Sequence, residues 1–493
     1  MTFQVSSDLD KLFQELLGEE KQLLYQQIGT KLPHTFRFNP LKGNLQAQME
    51  LFAEQGFRFE PLNHLENIYR ITYQPYPIGK SLSHFLGHIY VQDISSMIPA
   101  LVLDPRPGEW ILDMSAAPGS KTTLMGSLMN NRGVLLANDI VPKRLRALGN
   151  NIDRWGLCNV VVQRWYGEQF GNVYFETFDR ILLDPACSGL GTLHKNPEVL
   201  GWWSPEHCIR LAASQRNLLT SALKALRPGG VVVYSTCTLT PEENEAVIDF
   251  ALKEFPVEVE AIEVKGISTR PGLTRFGDRE FHPDLTHSIR LYPINSLTEG
   301  FFIARLRKTG EMKPPKPEKR KPPRHLNFIT ARKSPVKKYL DYLSQHFAIP
   351  AEVFRNWRYL MQKSIIFCSP EMDSFPFYGA PMQLGLTLAT PMTHGAKFNT
   401  AGSHIIGQHA QKNVIELTDL EVLEKFVNRE PLDIGVDSTG QMIVKYKGLV
   451  IGYGVADKGK LKSQFPKGEW PFYLTRSVNE LDDPAQNIEQ LDD

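Results

Sequence analysis

The sequence predicts an α/β protein in which a largely parallel sheet is connected by helical crossovers. Three apolar segments, at 110–112, 181–183 and 231–234, are each followed at once by small or polar residues. Around them the chain alternates strand-like and helix-like patterns from about residue 91 to about residue 308. Because the carboxyl ends of parallel strands lie at one edge of a sheet, we expect the three turns to meet in one crevice.

The first turn reads Asp-Met-Ser-Ala-Ala-Pro-Gly-Ser-Lys-Thr-Thr from Asp113 to Thr123. Small residues let the backbone approach a ligand closely, and a helix that opens near Ser120 presents free N–H groups to an anion. The alternative is an ordinary strand-to-helix turn. The residues expected to hold a cofactor here are Ser115, Ala116, Ala117, Pro118, Gly119, Ser120 and Lys121.

Two later strand ends extend this crevice. The apolar run 134–138 ends at Asp139, about twenty residues after the glycine turn, where a carboxylate can accept both ribose hydroxyls of an adenosine-type cofactor. The alternative is a surface carboxylate near a helix N-terminus. A third strand is expected at 159–163, after which Trp165 and Tyr166 should lie beside the adenine.

The remaining helices and strands of this region are predicted from the spacing of apolar residues and from the Pro and Gly residues that mark helix ends. Helices are predicted over 142–155 and 205–226, the second ending at Arg227-Pro228-Gly229-Gly230. Another helix is predicted to start within 239–244, with Pro241 in its first turn. The apolar runs 289–292 and 301–304 should form a closing hairpin at the edge of the sheet.

Residues 1–90 are predicted to form a small, mainly helical, RNA-binding-like domain. Apolar residues recur at helical spacing over 8–24 and, more weakly, over 45–57. Arg37 lies between aromatic residues in an extended-looking stretch, where it could meet a nucleic acid by charge and stacking. The alternative is a buried edge strand with one exposed arginine.

The composition changes abruptly after residue 308. The segment from Lys308 to Arg324 holds seven basic residues, two acidic residues and five prolines, which predicts a stiff, positively charged linker over 309–325. Residues 326–410 are expected to form a middle domain of mixed elements. Residues 411–493 contain short, glycine-punctuated strands that resemble a PUA-like RNA-binding barrel, with a local cluster at Lys458, Lys460, Lys462 and Lys467. The acidic end, 480–493, is expected to be frayed.

Overall composition excludes several classes of protein. The chain has 55 Lys and Arg residues and 54 Asp and Glu residues, so its net charge gives no information about partners. Any surface that binds a nucleic acid must therefore be a local cluster of basic residues. No apolar run approaches the ~18 residues of a membrane span, and we see no secretory signal. Five cysteines without paired spacing argue against disulfides or a zinc site and favour a reducing cytoplasm.

The three turns together resemble the Sun-type RNA cytosine-5 methyltransferases. The matching segments are Asp113–Thr123, Asp184–Gly189 and Ser235–Val247. The resemblance implies a Rossmann-like class I methyltransferase sheet over 91–308, S-adenosyl-L-methionine as cofactor and RNA as partner. The layout of the whole chain is most similar to the RsmF (YebU) branch, which acts on small-subunit ribosomal RNA. We therefore expect a cytoplasmic monomer without metal that methylates carbon 5 of one cytosine in 16S ribosomal RNA, within a 30S subunit or its precursor.

The family's chemistry follows from what cytosine requires. Carbon 5 is a poor nucleophile until a thiolate adds to carbon 6. The resemblance assigns this attack to Cys237 and release of the enzyme to Cys187. It also implies that Asp184 contacts the N3 and amino edge of the base and lies against the cofactor, with Lys121 as an electrostatic aid. The other cysteines are expected to be buried hydrophobic residues, at Cys158, Cys208 and Cys368.

Two positions differ from the family pattern. The family reads Asp-Ala-Pro-Cys where this chain has Asp184-Pro185-Ala186-Cys187, so the proline fixes a different φ and removes a different N–H. Tyr166 stands where the family commonly has an aspartate for the adenine amino group. Three alternatives stay open: a transfer RNA methyltransferase with the same site, a non-catalytic RNA-binding assembly factor, and a small-molecule methyltransferase.

Overall fold

The computed structural model describes residues 5–62, 65–294, 298–315, 322–433, 435, 439–467 and 474. The N-terminal region combines helices with a four-stranded antiparallel sheet in the order β2-β3-β1-β4. Its elements are α1 (Ser7–Leu17), α2 (Lys21–Gln27), β1 (Thr35–Phe38), α3 (Leu45–Glu54), β2 (Arg58–Pro61), β3 (Ile68–Tyr73), α4 (Leu82–Phe85) and β4 (Ile89–Val91). The helical content agrees with the prediction, whereas the sheet was not predicted.

The predicted buried strand around Arg37 is present as β1, but its predicted position at the sheet edge and both predicted environments of Arg37 were wrong. Strand β1 is an inner strand of its sheet, and Arg37 is buried. Its guanidinium donates to Thr123 Oγ1 at 2.7 Å, and its carbon Cζ lies 4.4 Å from the ring centre of Trp155. Arg37 therefore joins the N-terminal sheet to the central region instead of meeting a nucleic acid.

The central region carries a ten-stranded sheet in the order β11-β14-β15-β9-β8-β5-β6-β7-β19, with β10 paired to β15. Strands β5 to β9 are parallel, which confirms the predicted fold class. The strands of this region are β5 (Trp110–Asp113), β6 (Val134–Asn138), β7 (Val160–Gln163), β8 (Phe178–Leu183), β9 (Leu226–Thr236), β10 (Val257–Glu260), β11 (Arg270–Pro271), β12 (Arg275–Phe276), β13 (Arg279–Glu280), β14 (Ile289–Leu291) and β15 (Phe301–Lys308). Strands β12 and β13 form a separate two-stranded sheet.

Helices pack on both faces of this sheet, and their apolar residues form two large clusters with the strands. These helices are α5 (Ile94–Leu103), α6 (Ser120–Leu128), α7 (Pro142–Trp155), α8 (Phe170–Val173), α10 (Pro205–Ala225) and α11 (Glu245–Glu254). Helix α9 (Val199–Trp202) packs instead in a separate apolar cluster with N-terminal residues. The predicted bounds of α7 and α10 hold to within one residue, because each begins with a proline in its first turn.

Helix α11 begins later than predicted. Residues 241–244 form a turn, and the side chain of Asn244 bonds back to Thr236 Oγ1 at 2.5 Å and to the Thr238 carbonyl at 3.0 Å. Pro241 therefore opens a turn rather than the helix. The predicted hairpin at 289–304 exists as β14 and β15, and β15 also pairs with β9.

The C-terminal part of the chain contains two further five-stranded sheets, in the orders β16-β17-β18-β20-β21 and β22-β24-β25-β26-β23. The first region has β16 (Ile329–Thr330), α12 (Lys337–Phe347), α13 (Ala351–Arg355), β17 (Arg358–Met361), β18 (Ile365–Cys368), β19 (Gln383–Leu384), β20 (Leu386–Met392), β21 (Gly395–Phe398) and α14 (Thr400–Ile406). The second has β22 (Val414–Leu417), α15 (Leu420–Val427), β23 (Leu432–Asp433), β24 (Gly440–Tyr446), β25 (Leu449–Asp457) and β26 (Lys460–Ser463).

The middle region is joined to the central sheet through β19, which pairs antiparallel with β7. Lys308 ends β15 as a buried residue, with its ammonium 2.9 Å from Glu176 Oε1. Part of the predicted basic linker, residues 316–321, and the whole acidic end, 480–493, lie outside the described residues. Within the described chain, no helix is long and apolar enough to cross a membrane.

Candidate active site

The turns after β5, β8 and β9 open into one cavity of about 700 Å³. Lys121 reaches it from the start of α6, Asp184 and Cys187 from the turn after β8, and Cys237 from the end of β9. The parallel arrangement of these strands places their carboxyl ends at one edge of the sheet. The four side chains for which a catalytic role was predicted therefore line one space.

The two cysteine sulfurs are neighbours. Cys187 Sγ lies 3.2 Å from Cys237 Sγ, and both residues are half-buried. The hydrogen bond with Cys237, together with burial, raises the pKa of the Cys187 thiol well above its ordinary value. The shifted proline of the Asp-Pro-Ala-Cys sequence does not turn Cys187 away from Cys237.

Lys121 and Asp184 form an ion pair beside the sulfurs. Lys121 Nζ is 2.7 Å from Asp184 Oδ2, and Asp184 Oδ1 accepts a hydrogen bond from Ser235 Oγ at 2.9 Å. Burial alone would lower the pKa of Lys121, but the carboxylate of Asp184 and the nearby Cys237 hold it above its ordinary value. The ammonium is therefore a fixed positive charge in the cavity.

A buried carboxylate that the sequence did not reveal supports the turn after β8. Glu243 accepts hydrogen bonds from the Ser188 N–H at 3.0 Å, from Gln215 Nε2 at 2.9 Å and from Thr240 Oγ1 at 2.7 Å. Gln215 also donates to the Ala186 carbonyl at 3.0 Å. The residues on either side of Cys187 are thus tied to the turn after β9. In the sequence, Glu243 resembled an ordinary acidic residue at the start of a helix.

A close backbone contact also holds the two cysteine turns together. The Gly191 N–H donates to the Cys237 carbonyl at 2.9 Å, and the Gly300 N–H donates to the Gly191 carbonyl at 2.8 Å. A Cβ at position 191 would lie 2.0 Å from the Gly300 oxygen, so no other residue fits there.

The glycine turn has the predicted form. Gly119 has a φ of +112° and precedes α6, while the Ala116 N–H donates to the Asn138 carbonyl at 2.7 Å. Asp113 is buried beneath the turn and accepts a hydrogen bond from Thr122 Oγ1 at 2.7 Å. Burial raises the pKa of Asp113 to about 7, although the Thr122 hydroxyl and the Lys121 ammonium oppose this shift.

Asp139 has one carboxylate oxygen that is ion-paired but accepts no hydrogen bond, which is compatible with the predicted contact with ribose hydroxyls. The residue is buried, and its Oδ1 accepts the Val141 N–H at 2.9 Å. Its Oδ2 lies 3.2 Å from Arg144 Nη1 but makes no hydrogen bond. Arg144 also donates to the Ala117 carbonyl, which places Asp139 beside the glycine turn. Residues of this kind can hold an adenosine-containing group such as S-adenosyl-L-methionine.

The structure places the predicted site residues in three groups. The cavity wall contains Pro118, Ser120, Lys121, Asp184, Cys187 and Cys237. Ser115, Ala116, Ala117 and Gly119 form the adjoining turn, next to Asp139. Tyr166 follows β7 and is 62% exposed. The predicted burial of the other cysteines is confirmed for Cys158, Cys208 and Cys368.

Comparisons with known proteins agree with this geometry. Residues 100–307 match the family described as "16S rRNA methyltransferase RsmB/F". Among solved structures, a methyltransferase homolog protein from Pyrococcus horikoshii shares 37% identity and covers 61% of this chain and 94% of its own, with a TM-score of 0.55. NSun6 from the same organism, solved with SFG, shares 23% identity over 63% of this chain and 100% of its own. Its TM-score of 0.56 supports the fold alone.

Relatives that match most of the length of this chain show to which branch of the family it belongs. Ribosomal RNA small subunit methyltransferase F of Vibrio atlanticus is 31% identical over 88% of this chain and 91% of its own length. The protein of the same name from Aliivibrio fischeri is 32% identical, with the same two coverages. The branch inferred from the layout of the whole chain is thereby confirmed. This chain belongs to the ribosomal RNA small subunit methyltransferase F family.

Proposed function

We propose that this chain is an S-adenosyl-L-methionine-dependent methyltransferase acting on carbon 5 of one cytosine in 16S ribosomal RNA, through a covalent cysteine adduct. The observation that carries this proposal is the 3.2 Å distance between Cys187 Sγ and Cys237 Sγ in a cavity that also holds the Lys121–Asp184 ion pair. Two adjacent sulfurs beside a cofactor turn match the needs of cytosine chemistry, in which one group attaches the ring and another assists its release.

In the first step the Cys237 thiolate adds to carbon 6 of the flipped cytosine. The ammonium of Lys121 interacts electrostatically with Cys237 and stabilises a negative charge on that sulfur. The resemblance of the turn after β9 to the family motif assigns the nucleophile to Cys237, and the resemblance of the turn after β8 assigns the release step to Cys187.

Asp184 is assigned to the N3 and amino edge of the base. Its carboxylate is fixed from two sides, by Lys121 Nζ at 2.7 Å and by Ser235 Oγ at 2.9 Å. A carboxylate held in this way orients an amino group without rearranging during the reaction. Carbon 5 becomes enamine-like once the sulfur has added, so it can accept the methyl group.

S-adenosyl-L-methionine supplies an electrophilic methyl group when it is bound. The turn from Ser115 to Lys121 would receive the methionine part, Asp139 the ribose and Tyr166 the adenine. After methylation, the sulfur of Cys187, as a thiolate, takes the proton from carbon 5. The electrons of that C–H bond re-form the C5–C6 double bond, and the sulfur of Cys237 leaves as a thiolate. Cys187 contacts the departing sulfur directly.

The flanking regions are proposed to bind the RNA around the target. The exposed lysines near the C-terminus and the predicted PUA-like type of residues 411–493 support this role. We further propose that the protein acts as a cytoplasmic monomer on a 30S subunit or its precursor, because structured ribosomal RNA is assembled there. The domain boundaries 1–90, 91–308, 309–325, 326–410 and 411–493 remain predictions.

A transfer of label from the cofactor tests this function. The purified chain is incubated with methyl-labelled S-adenosyl-L-methionine and, separately, with 30S subunits, naked 16S ribosomal RNA and bulk transfer RNA. We expect label in 16S ribosomal RNA, at one position that sequencing identifies as 5-methylcytosine. Label in transfer RNA alone would contradict the ribosomal substrate, and binding of RNA without any label would favour the assembly-factor alternative.

A further inference from the structure

We propose that Trp202 is a stacking platform for an unpaired RNA base next to the target cytosine, an inference that rests on the proposed function. Trp202 lines the cavity that contains Cys187 and Cys237. It is 48% exposed, more than any other described tryptophan. A large aromatic ring that belongs both to the cavity and to the surface must lie where the cavity opens to solvent.

The indole is held in place from behind. Its ring centre lies 5.7 Å from that of His207, with the two planes at 89°. The edge-to-face contact uses one part of the indole and leaves the remaining surface free for a flat partner. An exposed indole that nothing anchored would cost entropy to order on binding, whereas this one has a supporting contact.

The short helix that carries Trp202 is anchored in the core. Val199 and Leu200 of α9 are buried in an apolar cluster with Leu24, Ile28 and Leu193. Trp203, the next residue, packs against the same cluster. The two neighbouring tryptophans therefore have opposite environments: Trp203 fixes the helix, and Trp202 is presented to the cavity.

The surroundings favour RNA as the occupant. Lys195 and Asn196 line the same cavity as Trp202. The half-exposed ammonium of Lys195 is paired with the buried Glu299, and Asn196 Nδ2 donates to Thr192 Oγ1 at 3.1 Å. Cations, amides and aromatic faces are the groups that contact the phosphates and bases of a single-stranded segment. When the target cytosine is drawn toward the cysteines, its neighbour remains at the rim, within reach of the indole.

Four variants of the full-length chain test this proposal. Trp202→Ala removes the platform, Trp202→Leu keeps apolar bulk without a π face, and Trp202→Phe keeps a π face. Ile209→Ala is the matched control, because Ile209 is a 56% exposed apolar residue on α10 that does not line the cavity. Binding is measured with a single-stranded RNA oligonucleotide and with the same sequence annealed into a duplex. The cofactor affinity of each variant is measured in parallel.

Stacking of one base predicts that Trp202→Ala and Trp202→Leu weaken single-strand binding about 10-fold, with Trp202→Phe within about 3-fold of wild type. Ile209→Ala, duplex binding and cofactor affinity should stay unchanged. The proposal is overturned if Trp202→Leu binds like wild type, if Trp202→Phe is as weak as Trp202→Ala, or if Ile209→Ala loses as much. A docking site for a protein would leave all RNA affinities unchanged. Methylation is assayed separately, so a wild-type chain that binds RNA but transfers no label would refute the function and leave this test intact.

Discussion

The two ends of the proposed cofactor site differ in how completely the protein uses the hydrogen-bonding capacity of its own polar groups. At the reaction end, Lys121 contacts Asp184 at 2.7 Å, and Cys187 contacts Cys237 at 3.2 Å. At the proposed adenosine end, Asp139 Oδ2 is ion-paired with Arg144 at 3.2 Å but accepts no hydrogen bond, and Tyr166 is 62% exposed. The side chains at the reaction end are therefore fixed by contacts with one another before any ligand binds. The side chains at the proposed adenosine end still have hydrogen-bonding capacity for a ligand.

This difference has a physical reason. Groups that stabilise charge during a reaction act best when their orientation is fixed in advance, because no reorganisation is then needed. Groups that only bind a ligand gain most when their hydrogen-bonding capacity is not used inside the protein. Changes at the two ends should consequently affect different kinetic quantities.

The largest expected effect is at the reaction end. Lys121→Ala removes the fixed positive charge and leaves Asp184 without its cationic partner. We expect kcat to fall roughly 100- to 1000-fold, the range seen when one electrostatic stabiliser is removed from an active site. Single-turnover methylation assays measure this, with the exposed Lys80→Ala as control. Unchanged turnover in Lys121→Ala would show that the ion pair is only structural.

A smaller effect, on binding alone, is expected at the adenosine end. Asp139→Ala removes the carboxylate that would accept the ribose hydroxyls, and hydrogen bonds to charged groups contribute about 1.5–3 kcal/mol each. The Kd for S-adenosyl-L-methionine should rise roughly 10- to 100-fold, while kcat at saturating cofactor stays near wild type. Titration calorimetry gives the Kd, with the exposed Glu168→Ala as control. Equal cofactor affinity in Asp139→Ala and wild type would refute the ribose assignment.

The buried carboxyl of Asp113, beneath the glycine turn, should make the stability of the folded protein depend on pH. Its pKa in the folded protein is about 7, raised by burial from an unfolded value of 3.8. Between these values the folded state holds a proton that the unfolded state has lost, so stability falls as pH rises through this window. The side chain of Asp113→Asn does not titrate, so the stability of this variant does not fall with pH for this reason. The melting temperature of Asp113→Asn relative to wild type should rise from about pH 4 to about pH 7 and then level off. A difference that is flat with pH would contradict the shifted pKa.

The smallest effect concerns Tyr166, which the family commonly replaces by an aspartate. Tyr166→Asp would supply a charged acceptor for the adenine amino group, and one net hydrogen bond is worth about 1 kcal/mol. We expect cofactor binding to tighten about 3- to 5-fold. Since Tyr166 is exposed, little packing is lost. Calorimetry that shows no gain, or weaker binding, would remove this idea.

The sequence predicted the residues at the reaction end better than the residues that hold them in place. The three turns are contiguous motifs at strand ends, and the rule that parallel strands share one carboxyl edge is enough to bring Cys187 and Cys237 together. Helix α7 was also predictable, since Pro142 and Gly156 mark its two ends. Local signals of this kind need no knowledge of distant residues.

The elements that were missed depend on contacts distant in the chain. Glu243 becomes a structural acceptor only because Ser188 and Gln215 are folded against it. Arg37 is buried because Thr123 and Trp155 surround it, more than 80 residues away. The N-terminal strands have three to six residues each, too few for an alternating pattern to stand out from the helices around them.

The central claim is that Cys237 attaches the cytosine and the adjacent Cys187 assists its release. Trapping of a covalent protein–RNA adduct tests this claim most directly. Cys187→Ala, Cys237→Ala and the control Cys158→Ala are each incubated with 16S ribosomal RNA and S-adenosyl-L-methionine, then separated on denaturing gels. We predict that Cys187→Ala accumulates a protein–RNA adduct, that Cys237→Ala forms none, and that Cys158→Ala behaves as wild type. An adduct in Cys237→Ala, or none in Cys187→Ala while methylation continues, would contradict the assigned roles of the two cysteines.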